Sequence, residues 1–393
     1  MNDRIEPSIF DEVIDRQQVP ALKSHPIVIG KNAKTLFAAG VADMDFKAPP
    51  VVLRALQERL DHGVFGYETV PGGLMPALGA WLTGRHNWNV DTGHILRAPN
   101  ILNALAIAAS VFTDEGDGII VQPPVFFDFF DIIDENKRAL IRNPLIIENG
   151  RYRMDFADLE DKAKSARTKM IYLCNPHNPV GRVWTADELR TLGDICMRHD
   201  VLVVSDEIHG DITYPGFEYT PFASLGDEYA DHCITFVSPA KSFNIASVCS
   251  AFTVIANDHM RAQFQTENSR LTVNKNNAFS SVAMEAAYRD GGPWLDAVRV
   301  YLEDNVNLVR NRLRQLPEIR MTEPEGTFLL WLDFRALNLS PDDLIPFLRQ
   351  KAKWAVTNGH SFGNEGDGFI RLNIACPKSR LNAALDQLEN ALA

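Results

Sequence analysis

Three short segments place a chemically active side chain at or just beyond the end of an apolar run. Lys241 follows CITFV within SPAKSFN (238–244), Asp206 closes VLVVSDE, and Asn178 lies in NPHNPVGRVW (175–184). An amine in that position can form an imine with an aldehyde. A carboxylate at the end of a buried run is costly unless paired, so Asp206 is either the partner of a cation or a helix cap. The two Asn-Pro pairs force an extended, turn-rich path, in which Asn178 either reaches a ligand oxygen or closes an Asx-turn. Ser238, a turn away from Lys241, can bond a phosphate oxygen, and His209, three residues after Asp206, approaches the same ligand as Asn178 or caps a loop.

Further candidates lie on other segments. Pro99-Asn100-Ile101 opens LNALAIAAS, a helix start whose free backbone N–H groups at Asn100 and Ile101 suit a dianionic phosphate. Phe126 in QPPVFFDFF presents a flat face to a ring or packs in the core, and the direction of Phe127 depends on the turn. Arg371 sits in the apolar run FIRLNIA, where a guanidinium needs a carboxylate, either a substrate's or that of a structural salt bridge. An imine-forming lysine, an acid for a pyridine nitrogen, a phosphate cradle and a flat neighbour are what pyridoxal phosphate requires. Lys241 is accordingly expected to hold that cofactor as a Schiff base. Asp206 is expected to keep its ring nitrogen protonated, so that the ring draws electrons from the substrate's α-carbon.

Elements that can position these side chains follow from periodicity. GIIVQPPV, MIYLCNP, VLVVSDE, CITFVSPAK and CSAFTVIA are short Val- and Ile-rich runs bounded by Pro, Asn, Asp or Ser, which predicts buried strands. Thr185 to Arg198 carries Leu189, Leu192, Ile195 and Cys196 at helical spacing behind a capping-box-like Thr185-x-x-Glu188. The expected fold class is α/β: a mostly parallel sheet with helices on both faces, whose ligands lie beyond the carboxyl ends of the strands, plus a smaller α+β domain. A helix over roughly 293–316 connects the two, followed by strands at 328–334 and 369–375 and a helix after Ser340-Pro341. The expected division is an N-terminal segment 1–45 packing with the small domain, a large cofactor-binding domain 46–285 and a small domain 286–393.

Composition narrows the partners. A formal net charge of -12 and an absence of Lys/Arg runs argue against nucleic acid. No stretch of ~18 apolar residues suggests a membrane span, and MNDRIEPSIF lacks the apolar core of a signal peptide, so a cytoplasmic enzyme is expected. Five cysteines without C-x-x-C spacing read as small buried residues, with no metal site.

Taken in order, VADMDF (41–46), HGVFGYE (62–68), NPHNPVGRVW, SDEIHGD (205–211), SPAKSFN, GGPWLDAV (291–298), PEGTFLLWLDF (324–334) and GFIRLNIACP (368–377) resemble fold type I pyridoxal phosphate enzymes. This aspartate aminotransferase superfamily includes a cystathionine β-lyase, or carbon-sulfur lyase, branch to which the segments are most similar. The resemblance implies a homodimer with shared active sites, Tyr67 reaching the phosphate in the neighbouring subunit, Arg371, Asn178 and Ala42 at a small amino-acid substrate, and Lys241 removing the α-proton. Some positions depart from the family pattern: Asn100 stands where glycine is usual, Phe126 where tyrosine is usual, and Cys249 where the aspartate enzymes carry an arginine eight residues after the lysine. The function implied is β-elimination from cystathionine or a related S-substituted cysteine, giving a thiol, pyruvate and ammonia. An aminotransferase for an aromatic or other apolar amino acid is the alternative, and a regulatory protein retaining the fold a third reading.

Overall fold

Seven strands make the main sheet. The computed structural model describes residues 5–29 and 35–393, so the first four residues of the charged segment read above as no signal peptide lie outside the described residues. In chain order the strands are β1 Ile95–Ala98, β2 Gly118–Val121, β3 Ala139–Arg142, β4 Thr168–Cys174, β5 Leu202–Asp206, β6 Cys233–Val237 and β7 Ala251–Val254. They lie side by side as β1-β7-β6-β5-β4-β2-β3. All neighbours from β6 to β3 are parallel, whereas β7 runs antiparallel to β1 and β6.

The runs are continuously apolar because successive residues of each strand enter different cores. Ile119, Val121, Met170, Tyr172 and Val204 pack with Ala104, Leu105 and Ala108 of helix Ile101–Phe112. Ile120, Ile171, Leu173 and Val203 pack on the opposite face with Leu189, Leu192 and Ile195 of helix Ala186–Arg198. That second helix begins at the expected capping box: Thr185 Oγ1 accepts from Glu188 N at 3.2 Å, and the Glu188 carboxylate accepts from Thr185 N at 2.9 Å.

A smaller antiparallel sheet takes the strands Arg320–Met321, Leu329–Asp333, Phe369–Asn373 and Thr357–Asn358 in that spatial order. Helix Gly292–Leu313 turns Trp294, Val298, Leu302, Val306 and Val309 into the core it shares with Leu330 and Leu372. It ends three residues short of the expected 316, and Pro317 disfavours helical geometry at Leu316. Helix Pro341–Gln350 starts where expected, with Ser340 Oγ accepting from Asp343 N at 3.2 Å. Among the described residues no helix is long and apolar enough to cross a membrane, and no group of three or more His, Cys, Asp or Glu side chains could hold a metal ion.

One buried carboxylate stitches the Asn178 loop to the segment that enters the small sheet. Glu325 accepts from Arg182 Nε and Val183 N at 2.9 Å each and from Arg151 Nε at 2.7 Å. The adjacent Gly326 must remain glycine, because a Cβ there would stand 2.8 Å from the Ile212 carbonyl oxygen. Glu325→Ala would leave the fully buried Arg182 with Glu188 as its remaining carboxylate partner. We expect a loss of about 3 kcal/mol, read as a lower denaturation midpoint in urea; an unchanged midpoint contradicts this account of the junction.

Candidate active site

The polar residues beyond β4, β5 and β6 meet in one cavity of about 330 Å³. Its walls include Lys241, Asp206, Asn178, His209 and Ser238, together with Asn100, Ile101, Ala42 and Phe126. Eight of these nine come from the strand ends or the helix start identified in the sequence. The ninth, Ala42, came from the resemblance alone.

Lys241 is presented by a turn with fixed ends. Ser238 Oγ accepts from Ala240 N at 3.3 Å and donates to the Ser250 carbonyl at 2.9 Å, while Phe243 anchors the far side against Trp81, Tyr288 and Trp294. The Lys241 ammonium donates to the Ala42 carbonyl at 2.6 Å. Burial, and next the positive charge of Arg371, lower the Lys241 pKa from its ordinary value; Asp43 and Asp206 oppose that shift. The amine is therefore easier to deprotonate than a surface lysine.

Asp206 and Glu207 point in different directions, as successive residues at a strand end do. Glu207 is consumed structurally, accepting from Ser205 Oγ at 2.7 Å, from Phe222 N at 2.9 Å and from the Tyr219 hydroxyl. Asp206 faces the cavity, where Ile208 N donates to it at 3.1 Å, and burial pushes its pKa up to about 6. A cation next to it, such as a protonated pyridine nitrogen, would reverse that shift.

Arg371 does not line the cavity wall but lies directly behind Asn178. Its guanidinium donates to Asn178 Oδ1 at 3.0 Å and to the Gly40 carbonyl at 2.7 Å and stacks over Phe362, leaving Nε without a partner among the described residues. No carboxylate among the described residues forms an ion pair with it, so the structural salt bridge weighed from sequence is not formed. Burial pulls its pKa down to about 9, with Asp128 acting in the opposite direction. Because Arg371 occupies the amide oxygen, the Asn178 amide nitrogen is the end left to donate to a ligand.

The remaining candidates separate by geometry. Asn100 caps helix Ile101–Phe112, its Oδ1 accepting from Asn103 N at 2.9 Å. The start of that helix lines the same cavity as Ser238, Cys249 and Ser250, and the free N–H groups of a helix start suit an anion. Ser238 would have to turn its hydroxyl away from Ser250 to donate to that anion. Phe126 reaches the cavity, whereas Phe127 turns back against Phe362, which settles the direction that the turn left open. Tyr67 is fully exposed and lines a separate hollow with Arg59, Glu68 and Arg289. Sequence reading missed Asp128, which also lines the cavity. It stands two residues after Phe126 in the same segment beyond a strand end, so the rule that singled out the other polar residues would have reached it.

His209 is buried with its Nδ1 lacking a partner among the described residues, an orphaned polar atom of the kind a bound group would satisfy. Together with an amine, a cavity-facing carboxylate, a helix start and an aromatic face, it fits pyridoxal phosphate. Burial and then the charges of Lys241 and Arg371 take the His209 pKa down to about 3. A lowered pKa means that the ring stays neutral at any pH above that value. In the cofactor-free protein we therefore expect its NMR ring signals not to move between about pH 5 and about pH 8; titration near the ordinary value of about 6.5 contradicts this.

Known proteins resemble this chain over most of its length. The family model "Aminotransferase class I and II" matches residues 34–388. The chain is 42% identical to cystathionine beta-lyase PatB of Bacillus subtilis (strain 168) over 354 residues, covering 90% of this chain and 92% of that protein. Cystalysin from Treponema denticola, solved with pyridoxal 5'-phosphate, superposes with a TM-score of 0.93 at 35% identity, covering 98% of both chains. The PLP-bound C-S lyase of Staphylococcus hominis, solved with L-cycloserine, has a TM-score of 0.91 at 33% identity, covering 98% of both chains.

Proposed function

Since the chain belongs to the class I and II aminotransferase family of fold type I pyridoxal phosphate enzymes, in its carbon-sulfur lyase branch, we propose that it catalyses β-elimination from cystathionine or a related S-substituted cysteine. The products are a thiol, pyruvate and ammonia. The observation that carries this reading is the convergence of the Lys241 amine, Asp206 and Asn178 on one cavity, in a chain whose relatives bear lyase names.

Pyridoxal 5'-phosphate is the cofactor, and when bound it supplies the electron sink that stabilises negative charge at the substrate's α-carbon. The protein's own groups do the rest. Asp206 would hold the proton at the ring nitrogen, and the Asn178 amide nitrogen would donate to the phenolic oxygen. The N–H groups at the start of helix Ile101–Phe112 receive the phosphate. Arg371 binds the substrate carboxylate, and the Lys241 amine takes the proton from the α-carbon; the Cβ–S bond then breaks and the thiolate departs. Water completes the release of pyruvate and ammonia. A second copy of the chain supplies Tyr67 to the phosphate in this proposal. Tyr67 is fully exposed, and Val64 and Phe65 beside it are 65% and 51% exposed, leaving an apolar face for that copy to cover.

An aminotransferase for an apolar amino acid is the second reading, favoured by the Leu102, Phe126 and Ile208 side of the cavity. It requires Lys241 to return the proton to the cofactor rather than release a thiol. Cystathionine supplied to the holoenzyme should yield pyruvate without an added keto acid, and Lys241→Ala should lower that rate by about 10³-fold. Borohydride should fix a pyridoxyl group on Lys241, seen by peptide mass. Keto-acid-dependent amino transfer without pyruvate overturns the elimination reading.

A further inference from the structure

Asp128 is the first residue of helix Asp128–Glu135 and shares the cavity with Lys241, Asn178 and Asp206. Its carboxylate makes no hydrogen bond or ion pair with any described residue. Burial raises its pKa, and next the neighbouring Asp131 does so, while Arg371 and Lys241 are close enough for their charges to oppose the shift. Both of those cations have other tasks. Arg371 is bonded to Asn178 and Gly40, and Lys241 to Ala42. Once a substrate carboxylate engages Arg371 and the cofactor engages Lys241, Asp128 remains a partly buried negative charge facing the substrate. Such a charge is costly until something positive is brought to it.

We propose that Asp128 is a specificity-determining residue that selects substrates whose departing thiol carries a cationic group, such as an ammonium, and rejects those whose thiol carries an anion. The inference rests on the elimination reading for its substrate class. A position at a helix N-terminus also favours a carboxylate for stability alone, and that role would leave substrate preference untouched.

The test compares S-(2-aminoethyl)cysteine with S-(carboxymethyl)cysteine in the holoenzyme, measured as kcat/KM for pyruvate release. The aminoethyl compound should be preferred by roughly tenfold or more, Asp128→Asn should remove most of that preference, and Asp128→Lys should reverse it. An unchanged ratio in a folded, cofactor-loaded Asp128→Asn enzyme overturns the proposal, whatever the absolute rate. Calorimetric binding of α-methylornithine and α-methylglutamate separates the two readings, because neither has an α-proton to lose. Tighter binding of α-methylornithine that depends on Asp128 supports the charge selection even if no compound yields pyruvate, in which case only the elimination reading fails. Equal or undetectable binding of the two, in an enzyme that releases pyruvate without charge preference, leaves elimination standing and overturns the role of Asp128.

Discussion

Two cations, Lys241 in the cavity wall and Arg371 behind Asn178, have no ion-pair partner among the described residues, and two backbone carbonyls hold them. Gly40 O accepts from Arg371 at 2.7 Å and Ala42 O accepts from Lys241 at 2.6 Å, so the separation of the two cations is set by two residues of one short segment. The segment is itself anchored from both domains. Asn244, three residues after Lys241, bonds Met44 N, Met44 O and Phe46 O, and Asn373, two residues after Arg371, bonds Val41 O and Asp43 O. Carbonyl dipoles satisfy the N–H donors without neutralising the charges, which is why burial depresses both pKa values. A carboxylate in place of either carbonyl would stabilise the resting cations and occupy the positions that substrate and cofactor need.

That anchoring explains the placement of the N-terminal segment. Arg16 donates to Asp43 at 2.6 Å and to Asp45 at 2.9 Å, and the buried Lys23 donates to Asp45 at 3.0 Å. Further along, Phe37–Ala38 pairs in parallel with Trp354–Ala355 of the small unit. The charges that could disturb Lys241 and Arg371 are thus spent on fixing the segment that holds them. Asp43 remains near enough to Lys241 to favour its protonated form slightly, a smaller effect than burial.

Much of this was legible because strand ends and helix starts have strong local causes. The runs ending at Cys174, Asp206 and Val237 are apolar on both faces, and the residues after them have nowhere to go but the crevice. The capping box at Thr185 and the cap at Ser340 are likewise local. The hidden features depend on distant partners. Asn244 and Asn373 look like ordinary polar residues until segment 41–46 is placed across them, and Phe126 and Phe127 differ only in that Phe362 covers one of them. Arg371 was recognised as needing a partner; the structural salt bridge among the alternatives is not formed, and a carbonyl and an amide oxygen accept from it instead. The end of helix Gly292–Leu313 shows the weaker side of periodicity, since the apolar stripe runs on while Pro317 limits the backbone.

Four charged side chains, Lys241, Arg371, Asp206 and Asp128, approach the same space, and no two of them form an ion pair. Attraction between such groups is strongest away from water, yet here packing, and for Lys241, Arg371 and Asp206 short bonds to backbone or amide groups, keep them apart. In the proposed mechanism three of them meet a group brought to the site: Asp206 a protonated ring nitrogen, Arg371 a carboxylate, and Lys241, once neutral, the proton it takes. Asp206 shows what this costs, since burial raises its carboxyl to about 6, with Ile208 N and the Lys241 charge opposing that rise only in part. The cofactor-free site carries that cost at neutral pH, where the carboxylate is kept charged against its surroundings. Binding a protonated ring beside Asp206 relieves that cost, so part of the affinity for the cofactor arises from the state of the site before it binds. Elimination and transamination begin from this same arrangement. In the proposed mechanism they diverge only in where the proton taken by Lys241 goes next, a choice governed by whether the group on Cβ can leave before that proton is returned.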